Sequence, residues 1–385
     1  MSRISFSVSV VFSFIFSIVS SHLAAQQVSP PEVEWEKFVG EINAKEWFFS
    51  SDFDSMGNII CAGAVYGQGT GKNYIIKFDK NSNILWEKFP GSNGSFINAI
   101  TSCPDGGSIV TGLTAGNIYV AKISPNGDVL WEKFFNDSRA QMGQDVVITS
   151  DGNYAVTGYI SGQLESKLFI RKLDTLGNIL WTKLFIGQGF SLGRGIRQTQ
   201  DGGYIACGST TLTSNSNKIY IVKTDASGEL IWEKYYENTQ RENYAFSICE
   251  TSDGQYLVAG PYILMKVDGS GEVIWEKIYS RKELHDLTPT LDGHFMLCGN
   301  GDDNAAGKTQ GYISKIDSSG NPIWEKWIDN IRSPFFSAKQ SLDGGYFATS
   351  TYSDSQEAYA YVVKLRSDTD LPLPLTSFSA QLRTD

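Results

Sequence analysis

Residues 145–185, DVVITSDGNYAVTGYISGQLESKLFIRKLDTLGNILWTKLF, decide the fold. Four short β-prone runs (145–150, 153–160, 167–173 and 178–185) are separated by punctuation that reverses a chain. Asp151-Gly152 lies between two alternating runs, the strongest short hairpin signal, and both residues tolerate the positive φ of a primed turn. Asp174-x-x-Gly177 suits a type I turn closed by a left-handed glycine. The segment reads as a four-stranded antiparallel meander.

The same grammar repeats along the chain. Trp-Glu-Lys or Trp-Thr-Lys begins at Trp35, Trp86, Trp131, Trp181, Trp232, Trp275 and Trp324, at intervals of 51, 45, 50, 51, 43 and 49 residues. Between these lie Asp-Gly turns, each followed by a β-rich run and Gly: DGGSIVTG from Asp105, DGNYAVTG from Asp151, DGGYIACG from Asp201, DGQYLVAG from Asp253 and DGHFMLCG from Asp292. Asp343 opens a copy that ends in Ser, and the copy near Asp54 reads as a longer turn, DSMGN. Lys-x-Asp-x-x-Gly recurs as well, from Lys172, Lys223 and Lys315 among others.

A four-stranded antiparallel unit at this period is a propeller blade, and one blade completes its core only by stacking on its neighbours. Seven Trp strands, seven Asp turns and seven Lys-headed strands are present, but out of phase. The chain opens on a Trp strand, VEWEKFV, and ends on a Lys-headed strand, YAYVVKLR, with no Trp strand after it. The expected fold is therefore an all-β, seven-bladed β-propeller whose last blade takes its fourth strand from the N-terminus, which removes two open sheet edges. A Trp at one strand position of every blade packs between adjacent sheets, so Trp181→Ala is expected to cost about 3–5 kcal/mol.

The ends read differently. Arg3 precedes an apolar stretch from Val8 to Val19, and His22-Leu23-Ala24-Ala25 follows, the form of a secretory signal peptide cleaved after Ala25. About a dozen apolar residues fall short of the ~20 that span a bilayer. The expected organisation is 1–25 signal peptide, 26–34 lead-in, 35–366 propeller and 367–385 linker-like tail, giving an exported, monomeric chain with no integral span after cleavage. The formal charge is −10, and with no basic cluster a nucleic-acid partner is not expected. Five cysteines (Cys61, Cys103, Cys207, Cys249, Cys298) show no CxxC spacing and read as small core residues, their disulfide state left open.

The units resemble the repeat TSDGGYIVAG…KLDSNGNIVWEK of exported Bacteroidetes-type propeller proteins, over about residues 35 to 366. Gly177-x-x-x-Trp181 also resembles the tryptophan-docking motif of quinoprotein-like propellers. That superfamily holds both quinone-dependent dehydrogenases and scaffolds without activity, and the resemblance supplies no cofactor ligands. The tail from Leu371, LPLPLTSFSAQLRTD, looks like the linker before a C-terminal sorting domain, which implies an extracellular, cell-surface or periplasmic destination.

Function belongs on the face that carries the variable connections: Val65–Asn73, Asn136–Gln144, Phe185–Gly195, Ser209–Lys218 and Gly299–Gly311. Counting seven residues back from each turn Asp gives Trp47, Asn98, Gln144, Arg194, Phe246, His285 and Phe336. These equivalents are expected where the innermost strands begin, with Trp47 uncertain by two positions. Arg194, His285, Gln144, Asn98 and Trp47 are the candidate binding residues, flanked by Asp145 and Asp286, and a glycan or a protein is the expected partner.

Chemistry is weakly signalled. His285 and His294 stand at no metal-ligand spacing, and no Gly-x-Ser-x-Gly elbow occurs. Asp302-Asp303-Asn304 lacks the calcium-loop spacing, and GNGDDNAAGKT lacks the first glycine of a phosphate loop. No catalytic, metal or cofactor residue is therefore assigned. The expectation is a non-enzymatic binding module; the alternatives are a carbohydrate-active hydrolase or lyase, a quinoprotein-type dehydrogenase, and a structural unit of a larger surface protein.

Overall fold

The computed structural model of the protein describes residues 28–368 except 41–44, 68–69, 138–139, 163, 212–216, 238–242, 303–308, 329–330 and 354–357. The signal-like segment 1–25 and the tail from residue 369 lie outside the described residues, as do the tips of several variable connections. Among the described residues there are 26 strands in four sheets and no helix.

Strand β1 (Val33–Val39) stands apart from the meander that follows it, β2 (Lys45–Phe53), β3 (Ile59–Gly67), β4 (Thr70–Phe78) and β5 (Ile84–Lys88). The next is β6 (Ser95–Ser102), β7 (Ser108–Thr114), β8 (Asn117–Ile123) and β9 (Val129–Phe135). Then come β10 (Ala140–Ile148), β11 (Tyr154–Ser161), β12 (Ser166–Leu173) and β13 (Ile179–Phe185), and β14 (Phe190–Gln198), β15 (Tyr204–Thr211), β16 (Asn217–Thr224) and β17 (Leu230–Tyr236). The fifth repeat has β18 (Ser247–Glu250), β19 (Tyr256–Val267) and the first half of β20 (Val273–Pro289). The second half of β20 opens the sixth, with β21 (Phe295–Asp302), β22 (Thr309–Ile316) and β23 (Pro322–Ile328). The seventh is β24 (Phe335–Gln340), β25 (Tyr346–Ser353) and β26 (Ala358–Leu365).

The fourth strand of the seventh meander is β1, antiparallel to β26 from Val33↔Leu365 to Val39↔Ala360. Two sheets reach eight strands because single parallel bridges, Lys45↔Ala358 and Ser166↔Phe190, join one meander to the next. Two strands are double. One half of β19 pairs with β18 and the other with β20, and at the ladder irregularity between Pro261 and Ile263 Tyr262 stands at φ 64°, a strained left-handed conformation for a bulky residue.

The turns correct one expectation. Gly152 N–H donates to Thr149 O (2.8 Å) and Thr149 N–H to Asn153 O (2.9 Å), the same pattern as Asp174–Asn178. Only the glycine is left-handed, Gly152 at φ 78° and Gly177 at φ 76°. Both classes are thus one turn, a type I turn closed by a left-handed glycine, and the Asp-Gly turns are not primed. The copy at Asp54 has the same length: Gly57 N–H donates to Asp54 O (2.9 Å), so Asp54 stands at the first turn position, where Thr149 does in the third repeat.

Apolar residues fall into seven clusters, each shared by two successive meanders. Val156 and Phe169, for instance, pack with Ile109 and Val120. One cluster joins the last meander to the first, with Phe347 and Val362 against Phe48, Cys61 and Ile76. The core therefore lies between sheets, which is why strands such as β3 and β8 are buried on both faces. The first strands of the repeats follow suit: β2 packs on β6, β6 on β10, β10 on β14, β14 on β18, β18 on β20, β20 on β24, and β24 on β2. All five cysteines are buried and free.

The repeated tryptophans seal the outer edge of these junctions. Trp131 Nε1 donates to Thr175 O (3.0 Å) in the next repeat, and a Cβ on Gly177 would strike its ring. Trp86 and Trp232 donate likewise to Pro125 O and Gly269 O. Six of the seven are half-buried and Trp324 is fully buried, so burial is less complete than the repeat implies.

Each Lys-headed strand also pairs with the turn of its own repeat. Lys77–Asp54, Lys122–Asp105, Lys223–Asp201 and Lys315–Asp292 span 2.7–2.8 Å, and Lys172–Asp151, Lys266–Asp253 and Lys364–Asp343 complete the set. Burial pushes the Asp201 carboxyl up, but the Lys223 ammonium and the Thr199 hydroxyl outweigh it and hold the pKa at about 2. The other six are lowered for similar reasons. The folded state thus binds fewer protons than the unfolded, whose carboxyls titrate near 3.8. This stability is present above that value and is lost as pH falls towards 2. Urea midpoints read by tryptophan fluorescence are expected to drop between pH 4 and 2, less steeply in Asp201→Asn; an identical slope in the variant would refute the role of the pair.

Candidate functional site

A cavity of about 760 Å³ is lined by residues from the first strands of all seven repeats or their leading ends. Asn98, Gln144, Arg194, Phe246, His285 and Phe336 all line it. Trp47 does not; the first lining residue from its strand is Phe49, two positions on. Trp47 packs instead on Tyr66, ring centroids 4.5 Å apart. The displacement follows from Asp54 standing two places earlier in its turn than the other aspartates.

These positions share a backbone cause. The ladder slips by one residue at Phe49, Asn98, Gln144, Arg194, His285 and Phe336, the signature of a β-bulge, which re-aims a side chain. Phe246 immediately precedes β18. The bulge carbonyls press on the opposite strand: a Cβ on Gly158 or Gly208 would collide with Met142 O or Leu192 O. The glycine that ends each DGxxxxxG run is required by this approach. In the seventh copy Ser350 takes its place, and its hydroxyl donates to Pro334 O at 2.8 Å.

One side of the mouth is aromatic. His285 stacks on Phe246 (4.7 Å, interplanar 16°) and meets Phe336 edge-on (5.4 Å, 84°), and Phe336 meets Phe49 (5.8 Å, 75°). The other side is polar. Asn98 Nδ2 donates to Gly143 O (2.8 Å), Gln144 Nε2 approaches Met142 Sδ (2.9 Å), and the Arg194 guanidinium lies 5.0 Å from the Phe246 ring and 5.3 Å from that of Tyr244. Arg194 Nε and His285 Nε2 are buried without a hydrogen-bond acceptor. The nearest carboxylate to His285 is Glu283, at 3.8 Å.

Further along the strands the charges that line the cavity are paired. Arg197 bonds Asp145 (2.8 Å) and Lys339 bonds Asp52 (3.0 Å). The carboxylates also tie one meander to the next by accepting backbone N–H groups: Asp145 from Ile196 (3.0 Å), Asp52 from Ser102 (2.8 Å) and Asp286 from Ala338 (3.4 Å). Ser50 Oγ accepts Ile100 N–H at 3.2 Å in the same manner. Burial pushes the Asp286 carboxyl up, opposed by Arg197 and Lys339. Sequence reasoning missed Asp52, Arg197 and Lys339, although each stands three residues beyond a bulge position, where the extra residue of the bulge shifts the two-residue alternation and returns a side chain to the same wall.

Among the described residues no cluster of three His, Cys, Asp or Glu is arranged to hold a metal ion. Asp303 and Asn304 lie outside the described residues. No helix among them is long and apolar enough to cross a membrane. No family model matches the chain, and no curated protein matches it.

Proposed function

We propose that the protein is an exported binding module, a closed seven-bladed propeller that takes a glycan or protein ligand into its central cavity from the bulge side. Support for closure comes from the seven inter-meander clusters, one of them between the last repeat and the first, and from β1 serving as partner to β26. The observation that carries the binding reading is the contrast within the cavity. Among the described residues Arg194 Nε has no acceptor and His285 Nε2 has only Glu283, 3.8 Å away, whereas each carboxylate that lines the cavity is engaged by neighbouring backbone amides.

That engagement weighs against the hydrolase alternative, because a general acid or nucleophile needs a carboxylate free to reach the reacting atoms. A glycan array and a pull-down with the exported chain test the proposal. Arg194→Ala/His285→Ala is expected to lose at least about 30-fold in affinity, roughly 2 kcal/mol, for the retained ligand. Unchanged binding by the double variant would remove the cavity from consideration. Turnover of the ligand would favour the enzyme.

A further inference from the structure

The ligand class can be narrowed from the cavity's own chemistry, resting on the binding reading above. Among the described cations that line the cavity, Arg197 and Lys339 each have a carboxylate within 3.0 Å. Arg194 has none among the described residues, although it is largely enclosed and packed against Tyr244 and Phe246. Stacking occupies the face of a guanidinium and leaves its N–H edge for acceptors. A planar carboxylate matches that edge with two parallel hydrogen bonds.

The surroundings limit what carries the carboxylate. Phe246, His285 and Phe336 form an aromatic wall, which suits a flat apolar face. Asn98 and Gln144, whose amide nitrogens meet Gly143 O and Met142 Sδ, add side-chain amides to the lining, which can exchange hydrogen bonds with hydroxyl groups. A pyranose ring has such a C–H face and a rim of hydroxyls. A peptide that binds by strand addition would instead need a free strand edge. Here the inner edge is broken by bulges, and Ile100, Ile196 and Ala338 already donate their N–H groups to Ser50, Asp145 and Asp286. At about 760 Å³ the cavity is of the size that holds small ligands, enough for a short oligosaccharide.

We infer that the cavity mouth binds a hexuronate residue of an acidic glycan, with Arg194 as counter-ion to its carboxylate and the Phe246–His285–Phe336 wall against its ring.

The test is calorimetric titration of the exported chain with trigalacturonate, trimannuronate and the methyl ester of trigalacturonate. At least one acid is expected to bind, and trigalacturonate, if it is the one bound, at least ~10-fold more tightly than its ester. Arg194→Gln is expected to bind acid and ester alike, at the ester's level, and Arg194→Lys to keep part of the preference. Thermal melts of both variants establish that they are folded. Equal binding of acid and ester, or a preference that survives in a folded Arg194→Gln protein, overturns the inference. So does failure of both acids while a neutral glycan or a peptide binds and is lost in Arg194→Ala/His285→Ala, a result that leaves the broader binding reading intact. If no ligand of any class depends on Arg194 or His285, both readings fall.

Discussion

A chain shortened to begin at Lys45 is expected to lose most of its stability and to leave solution as aggregate. The lost strand, β1, supplies the only antiparallel partner that β26 has beyond β25 among the described residues. Arg366 N–H donates to Glu32 O (2.9 Å), Tyr361 Oη to Glu36 (2.6 Å), and Phe38 packs on Tyr361 and Tyr352. Val39 is buried in the cluster that joins the last meander to the first, with Trp35 against it. Losing that burial and a full ladder costs on the order of 5–8 kcal/mol, against a total stability of about 5–15 for a typical domain. It also bares β26, almost wholly buried, as an apolar edge that invites another chain. Urea unfolding with size-exclusion chromatography measures both effects. A relocated β1, attached after Asp368 through a linker that leaves Asp368 on Lys315, is expected to restore the wild-type midpoint. An unchanged midpoint in the shortened chain would defeat the argument.

The second large effect is Trp324→Ala, expected to cost about 3–5 kcal/mol. Trp324 is fully buried, meets Tyr346 edge-on (5.1 Å, 69°) and donates Nε1 to Asp368 Oδ2 (3.3 Å). Asp368 also holds Lys315 at 2.5 Å, so the residues just past β26 belong to the folded body and not to the tail. Trp181, half-buried and edge-on to Tyr204, is expected to cost only about 1–3 kcal/mol as alanine, because much of its ring already meets water. Denaturant melts of the two variants give the comparison; equal losses would mean that local burial does not set the energy.

The four-strand unit and the strand borrowed from the far end are legible because the turn glycines and the Trp strands recur with fixed spacing. The bulge positions are legible for the same reason, and the one slip is instructive. Asp54 takes the first turn position, where its carboxylate accepts the N–H groups of Met56 and Asn58, so counting back from it lands on Trp47. Counting 14 back from the glycine that a facing carbonyl forbids to carry a Cβ reaches six of the seven positions, Phe49 from Gly63 included, and the same count from Ser350 reaches Phe336. Contacts across meanders are another matter. The Arg194–Phe246–His285 stack joins three successive repeats, and no local pattern reveals which way each bulge aims its side chain. The Lys–Asp pairs went unread because each signal has a sufficient local reason to exist. Strand β20 runs through where a connection is expected, since Tyr279–Lys282 stays extended.

Because Glu36 and Tyr361 meet across 325 residues, the earliest-made strand has no partner until the last has left the ribosome. Folding is bound to a contact of the longest range in the molecule, and such contacts are slow to form. A nascent chain ending before Ala358 carries β1 without the strand it pairs with, and the core between the last meander and the first stays open until then.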